Sequence, residues 1–126
     1  MAKLDFNSNQ NHTLGVELEL ALVDVETGHL TSAIQPLLDQ LPDSVRPWCK
    51  PELMQCCVEV ITDVCQDITQ VKDDLTTKLT AVERVADDQN IGLWWGSTHP
   101  FSLWRDQQIS PSDRYDDLVN LLQEIC

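Results

Sequence analysis

The chain has 126 residues, a length that suits one compact domain with a modest hydrophobic core. Twenty-one acidic residues stand against eight lysines and arginines, and the formal charge of -13 would repel phosphate backbones and anionic membranes. We therefore expect neither nucleic acid nor a membrane as partner. Because the N-terminus lacks an apolar stretch of signal-peptide length and no run approaches the roughly 20 apolar residues of a membrane span, a cytoplasmic protein is predicted.

The cysteines are odd in number and show no C-x-x-C spacing, which argues against a zinc site and favours reduced thiols that serve as small core residues. They are Cys49, Cys56, Cys57, Cys65 and Cys126. Cys56 and Cys57 are neighbours, and on a strand their side chains would point to opposite faces.

The segment Thr13 to Asp24 alternates between apolar and other residues, which predicts a strand. One face carries Leu14, Val16, Leu18, Leu20 and Leu22, and the other carries Gly15, Glu17, Glu19 and Ala21. A turn at residues 26–29 follows, and apolar residues at helical spacing then predict a short helix between Leu30 and Leu41. The proline-rich segment Pro42 to Pro51 is typical of a loop.

A second alternating segment, Leu53 to Thr62, predicts another strand. Its apolar face carries Met54, Cys56, Val58 and Val60, and its other face carries Gln55, Cys57 and Glu59. Asp67 and Gln70 resemble a capping box at the start of a long amphipathic helix. The residues Ile68, Val71, Leu75, Leu79, Val82 and Ala86 lie along its apolar side. This helix should end near Asn90, with Gly92 available for a left-handed exit.

Leu93 to Thr98 predicts a third strand of open register, and a last helix is predicted to run to the chain's end. Ser110 would cap this helix, Pro111 would be its first residue and Asp113 its third. The residues Tyr115, Leu118, Val119, Leu122 and Ile125 then recur at helical spacing.

The order of strands and helices alternates, which ordinarily indicates a parallel, doubly wound sheet. However, the first two strands are amphipathic, as expected when helices cover only one sheet face, and no glycine-rich phosphate loop follows any strand. We therefore predict a single domain of the α+β class. It would have an open, largely antiparallel sheet, with helices packed on one face and a polar, acidic face opposite.

On that polar face, Glu17 and Glu19 from one strand would lie beside Gln55 and Glu59 from the other. Carboxylates fixed on strands are the oxygen ligands that Mg²⁺ prefers, although an ordinary solvated sheet face has the same pattern. His99 follows the third strand and can bind a carboxylate or a metal, but a single histidine in a loop is more often structural.

The remaining candidates are arginines and aromatic residues. Arg105 and Arg114 can receive a substrate carboxylate in a forked contact, or they are surface charges beside a helix. The four tryptophans can line a pocket, although packing in the core is the default interpretation.

Three blocks in this order resemble the ATP-dependent carboxylate-amine ligases related to bacterial glutamate-cysteine ligase. The first is TLGVELE at residues 13–19, and the second is KPELMQ at residues 50–55, followed by Val58, Glu59, Val60 and Thr62. The third is GSTHPF at residues 96–101, with Trp104, Asp106, Gln107, Arg114 and Tyr115. Together they cover most of the chain.

The resemblance implies that ATP phosphorylates the γ-carboxylate of glutamate and that an amine, typically that of cysteine, attacks the acyl phosphate. It implies a fold shared with glutamine synthetase and assigns Mg²⁺ binding to Glu17, Glu19 and Glu59. Glu52 is a further metal candidate, although alternation puts it opposite Glu59 unless the strand begins later or bulges. The resemblance implies that His99 and its neighbours lie by the substrate pocket, and our substrate-binding candidates are Gln55, Thr98, His99 and Arg105.

Members of this family are much longer, so the resemblance implies the amino-terminal part of a ligase catalytic domain that is inactive by itself. We expect a homodimer through an open strand edge, or a complementing ligase fragment as partner. The alternative is a binding or assembly module that derives from the ligase fold and has lost catalysis.

Overall fold

A computed structural model describes residues 11–123. Ile125 of the predicted last helix and Cys126 lie outside the described residues. Four strands and three helices follow in the order β1 (Glu17–Asp24), α1 (Ile34–Gln40), β2 (Cys49–Pro51), β3 (Cys57–Ile61), α2 (Ile68–Asp88), β4 (Ile91–Trp94) and α3 (Asp113–Gln123). Short 3-10 turns occupy Arg46–Trp48 and Trp104–Asp106.

The four strands form one open sheet in the order β2-β3-β1-β4, and every neighbouring pair is antiparallel. The predicted α+β class and antiparallel sheet are therefore confirmed. β1 lies in the middle of the sheet, with Glu19 opposite Glu59 of β3 and Leu22 opposite Leu93 of β4. The two segments with matched alternation are thus direct neighbours.

The hydrophobic core lies on the sheet face that α1 and α2 cover. Leu20 and Leu22 of β1 and Val58 and Val60 of β3 are almost completely buried there, together with Val82 of α2. Burying such aliphatic side chains contributes roughly 1.5–3 kcal/mol each before the entropy cost. The polar residues of β1 and β3 consequently face away from the helices.

The long helix α2 has the predicted capping residue, Asp67, but its buried side begins later than predicted. The Asp67 carboxylate accepts a hydrogen bond from the Gln70 N–H at 2.9 Å, while the Gln70 side chain accepts one from the Gln66 N–H at 2.8 Å. Ile68 was predicted on the buried side and is 71 % exposed. It is the first helical residue, and the buried side of the helix begins only at Val71.

The exit from α2 differs from the prediction as well. Asn90, with φ of 57°, takes the left-handed conformation, and Gly92 lies inside β4. A Cβ at position 92 would come within 2.9 Å of Val23 Cγ2, so the absence of a side chain allows close strand contact there. Asparagine tolerates the left-handed region because of its short polar side chain.

Several predicted boundaries are wrong. β1 begins at Glu17 instead of Thr13, and the last three residues of the predicted loop 42–51 form the strand β2. β3 begins at Cys57, because residues 54–57 form a turn that the Cys57 N–H closes with the Met54 carbonyl at 3.0 Å. The third strand is Ile91–Trp94, two residues earlier than predicted at its start. The short helix α1 begins at Ile34 instead of near Leu30, whose backbone bridges to Val23.

The last helix begins at Asp113, after Ser112, instead of at Pro111. Ser110 is not the cap, since the helix begins three residues after it. Its N–H donates to the Leu53 carbonyl and its hydroxyl to the Glu52 carbonyl. These contacts fix the segment before α3 to the loop after β2.

The described cysteines are free thiols, as predicted, and Cys49, Cys56 and Cys65 are buried. The tryptophans depart from the default of core packing. Trp94, Trp95 and Trp104 are 39 %, 60 % and 78 % exposed, and Trp48 is half-buried. Within residues 11–123, no helix has the length and apolar character needed to cross a membrane.

Candidate functional site

An acidic face occupies the side of the sheet that the helices leave uncovered. We use this name for Glu17 and Glu19 of β1, Glu59 of β3 and Glu52 of the loop after β2. Glu19 is the direct cross-strand partner of Glu59, and Lys50 of β2 is the partner of Glu59 on its other side. The register therefore brings one cation next to several carboxylates.

Glu52 joins this group because the strand begins later than alternation predicted. It follows the end of β2, and the negative charge of its carboxylate acts on Glu59, Cys57 and Tyr115. Alternation put Glu52 opposite Glu59 unless the strand began later than predicted. The turn at residues 54–57 delays the start of β3, so this condition is met.

The environment of Glu59 reflects this crowding of negative charge. Its pKa is raised above the ordinary value, first by partial burial and then by the charges of Glu17 and Glu52, with a smaller contribution from Glu19. Lys50 opposes the shift without cancelling it. A bound cation would relieve the repulsion that remains.

The chemistry of these oxygen donors suits a hard cation, but their side chains do not converge. In the described part of the chain, no three His, Cys, Asp or Glu side chains lie close enough together to hold one metal ion. Glu17 is exposed, as is Glu19. Their side chains have room to rotate, so an incoming cation could draw them together with oxygen ligands from a phosphate.

His99 is held at both ring nitrogens by the backbone. Its Nε2–H donates to the Gly28 carbonyl at 2.9 Å, and its Nδ1 accepts from the Ser102 N–H at 3.1 Å. Phe101 packs edge-on against the same ring with centroids 4.6 Å apart. A hydrogen bond from the His99 ring to a substrate would therefore have to replace one of these two bonds. As it stands, the ring holds the 96–102 loop against the turn at Gly28.

Thr98 and His99 line a cavity of about 350 Å³, which we call the thiol cavity because Cys56 and Cys57 also line it. Ala21 of β1 and Trp104 form other parts of its wall. The third sequence block therefore lies beside the uncovered face of the central strand. Of its aromatic residues, Trp104 lines this cavity, and Trp104 and Phe101 are both exposed instead of filling the core.

Gln55 lines a different groove, of about 480 Å³, with Lys50, Arg114 and Tyr115. The Gln55 side-chain amide donates to the Ile109 carbonyl at 2.9 Å, and Gln55 lies in the turn before β3 instead of on the strand with Glu59. We call this hollow the cationic groove.

Arg105 is exposed in the short 3-10 turn at Trp104–Asp106 and lines neither hollow. The substrate candidates thus divide into Thr98 and His99 at one hollow, Gln55 at the other, and Arg105 apart. Sequence reasoning missed Lys50 and Tyr115, whose hydroxyl donates to the Pro51 carbonyl at 3.3 Å. Both lay in the resembling blocks, but only the register puts Lys50 beside Glu59.

Comparison with known proteins gives the family. The family model "Glutamate-cysteine ligase family 2 (GCS2)" matches residues 13–125. A protein of Thermobifida fusca (strain YX) named "Putative glutamate--cysteine ligase 2" is 40 % identical over 124 residues, which are 95 % of this chain and 31 % of that protein. Proteins of the same name from Gloeobacter violaceus and Leifsonia xyli subsp. xyli are 38 % and 36 % identical, over 93 % and 98 % of this chain.

The chain spans about a third of the length of these relatives, 31 % to 33 %. The match begins just before β1 and extends through α3, so it includes the acidic face and both hollows. The chain belongs to glutamate-cysteine ligase family 2.

Proposed function

We propose that this chain supplies the metal-binding half of the site of an ATP- and Mg²⁺-dependent ligase. The whole protein would join the γ-carboxylate of glutamate to an amine such as that of cysteine through an acyl phosphate. The observation that carries the proposal is the acidic face on β1 and β3, in a chain that belongs to a glutamate-cysteine ligase family.

In this proposal, Glu17, Glu19, Glu52 and Glu59 hold Mg²⁺ against the nucleotide phosphates. When bound, the ion would neutralise phosphate charge and align the reacting groups. The raised pKa of Glu59 supports this role, since an uncompensated carboxylate gains most from a cation. Lys50 beside Glu59 would contact a phosphate oxygen and keep the carboxylate oriented.

The two hollows flank the acidic face and would take the substrates. Thr98 lines one of them, and the backbone contacts of His99 keep the loop in place. Gln55 and Arg114 line the other, where the guanidinium can receive a carboxylate in a forked contact. We further propose that the four-stranded sheet is the first part of a catalytic domain of the glutamine synthetase type.

The test is ATP turnover by the full-length protein with glutamate, cysteine and Mg²⁺. Glu59→Gln and Glu19→Gln should each raise the Mg²⁺ concentration needed for half-maximal turnover by about tenfold or more. Loss of a group that orients a metal site typically lowers metal affinity or activity by about 10–100-fold. Glu83→Gln is the matched control, because Glu83 is exposed on α2, which packs against the opposite sheet face. Turnover that needs glutamate and cysteine but is unaffected by both site variants would refute the metal role.

One observation favours a second candidate, a binding or assembly module without catalysis. The carboxylates do not converge on a metal position within residues 11–123. A full-length protein that forms no γ-glutamyl product and releases no phosphate under the same conditions would support this alternative.

A further inference from the structure

The 96–102 loop, which we call the strap, is held against the turn after β1 by two histidines. His99, within the strap, donates from Nε2 to the Gly28 carbonyl at 2.9 Å and accepts at Nδ1 from the Ser102 N–H at 3.1 Å. The Ser102 hydroxyl oxygen lies 3.2 Å from Nδ1 of His29, which belongs to the turn. Phe101 packs edge-on against both rings, with centroids 4.6 Å and 4.7 Å away. Ser102 is therefore the point at which both histidines meet the strap.

The partners of His99 fix the protonation state that this arrangement needs. A backbone N–H can only donate, so the Nδ1 that faces Ser102 has to be an acceptor and carries no proton. The proton of the neutral ring is then on Nε2, where it is donated to the Gly28 carbonyl. A second proton on Nδ1 would place two donors against each other, because both nitrogens of a charged imidazole donate. The closed strap therefore requires a neutral His99.

His29 is bound to the strap in a way that tolerates either charge. Its partner is the Ser102 hydroxyl, which can donate a hydrogen bond or accept one. The Leu30 N–H donates to the same oxygen at 3.0 Å, and a hydroxyl oxygen has a second lone pair for a proton on His29. Protonation of His29 thus reverses the direction of one hydrogen bond, whereas protonation of His99 removes one.

The charged and titratable groups near His99 do not offer its ring another bond. On the elements around it, these groups are Asp24, Glu26, His29, Cys56, Cys57, Arg105 and Asp106. In the part of the chain that the structure describes, none of them forms a hydrogen bond or an ion pair with His99. Asp24 is engaged within the turn, where its Oδ1 accepts from the Thr27 N–H at 2.8 Å and from the Thr27 hydroxyl at 2.7 Å.

We propose that His99 is a positioning residue whose neutral ring keeps the strap closed, so that acidification releases one wall of the thiol cavity. Histidine is the side chain that ordinarily changes charge between about pH 5 and 8. His99 is half-buried and lines the cavity itself, which gives solvent protons a path to its ring. The other strap residues that line this cavity are Gly96, Ser97, Thr98 and Ser102. This device would act whichever ligand the thiol cavity takes.

The test follows the ¹⁵N-labelled native chain by NMR between about pH 8 and about pH 5, the range in which histidine changes charge. The side-chain nitrogen shifts of His99 report its tautomer and charge. Water exchange of the Ser102 amide, corrected for its intrinsic pH dependence, reports the bond to Nδ1. We expect a neutral ring with its proton on Nε2 at the upper end and a charged ring at the lower end. Protection of the Ser102 amide should fall about three- to tenfold, as for the loss of one ordinary hydrogen bond.

Three results of this titration would overturn the proposal. The first is Ser102 protection that stays constant although the His99 ring becomes charged. The second is a ring that stays neutral, or carries its proton on Nδ1, over the whole range. The third is an equal loss of protection at Val60, which is fully buried in the core, because the whole chain would then be unfolding.

Two variants separate His99 from its neighbour. His99→Gln has no titrating group, so the pH dependence of Ser102 protection should disappear over the same range. His29→Gln is the matched control on the other side of Phe101 and should keep the fall seen in the parent chain. A fall that persists in a His99→Gln chain with the parent's circular dichroism, or one that is lost in His29→Gln, would refute the role of His99. If His99→Gln does not fold, the titration of the parent chain decides the proposal by itself.

Discussion

Lys78 is a buried cation that joins three parts of the fold. It is 3 % exposed, and its Nζ donates to the Ile61 carbonyl at 3.0 Å and to the Asp74 carboxylate at 2.7 Å. The ammonium also lies 4.1 Å from the centroid of the Trp48 ring, within the range of a cation–π contact. A pattern of helical spacing cannot find this residue, since it marks Lys78 only as a polar position inside an amphipathic helix.

Replacing Lys78 with methionine should destabilise the chain by about 2–4 kcal/mol. The substitution keeps an apolar stem but removes the ammonium that donates to the Ile61 carbonyl and neutralises the half-buried Asp74 carboxylate, and loss of a charged hydrogen-bond partner at such a position is costly. Urea unfolding followed by circular dichroism measures the difference. Lys72→Met, at an exposed position of the same helix, is the control and should stay within about 0.5 kcal/mol of the parent.

Glu59 should make stability depend on pH in an unusual direction for a carboxylate. Its folded-state pKa is raised above the unfolded value, so its ionised form destabilises the fold above the folded pKa. As pH falls through the folded pKa, protonation removes that penalty. Glu59→Gln should therefore melt at a higher temperature than the parent at pH 7, with the gap closing in the acidic range.

Thermal melts of the parent and Glu59→Gln at several pH values provide this measurement. Glu83→Gln, on exposed α2 surface, should show no comparable gap. A Glu59→Gln chain that is less stable than the parent at pH 7 would mean that Glu59 makes a favourable contact that outweighs its repulsion by Glu17 and Glu52.

At the scale of elements, period and capping predicted the existence of most helices and strands but not their ends. Asp67 caps α2 as expected, because a side-chain acceptor near the first free N–H groups is a local property. The start of β3 depends instead on a turn and on the distant Ser110, whose N–H and hydroxyl bind residues 52–53. Such contacts join positions almost 60 apart, so local alternation cannot reveal them.

The left-handed Asn90 offers a test of how α2 ends. Asn90→Gly should be neutral or slightly stabilising, since glycine takes positive φ without steric cost, whereas Asn90→Val should cost roughly 1–2 kcal/mol. Denaturant midpoints of the two variants and the parent decide this. Equal stability of the valine and glycine variants would show that the chain can leave the helix by another conformation.

At the scale of the whole molecule, amphipathic strands correctly predicted an open sheet with one covered face. The same reasoning put Glu17, Glu19 and Glu59 on one side of the sheet. Side chains alternate along a strand, so once the apolar face is known, the residues of the other face follow. It could not give the strand order or the partner of Glu59, since both depend on long-range pairing. The division of the substrate candidates between two hollows likewise follows from tertiary contacts.

The sheet order also bears on self-association, which remains a prediction. β2 and β4 are the two edge strands among the described residues, and β2 is only three residues long and contains Pro51. β4 is also short, with four residues, but it contains no proline, and the exposed Trp94 and Trp95 lie at its end. An unprotected edge with apolar side chains is a template for pairing with a second copy.

We therefore expect the chain to form a two-fold dimer through β4 that strengthens with salt. The formal charge of -13 opposes association, and salt screens that repulsion, with a Debye length of about 10 Å at 0.1 M and about 3 Å at 1 M. Sedimentation at several protein and salt concentrations measures the equilibrium. Trp95→Glu should weaken the dimer, because it adds charge beside the β4 edge, whereas Val64→Glu, at an apolar position 73 % exposed outside that strand, should have less effect. A monomer of 14.3 kDa at every concentration would show that this edge does not pair.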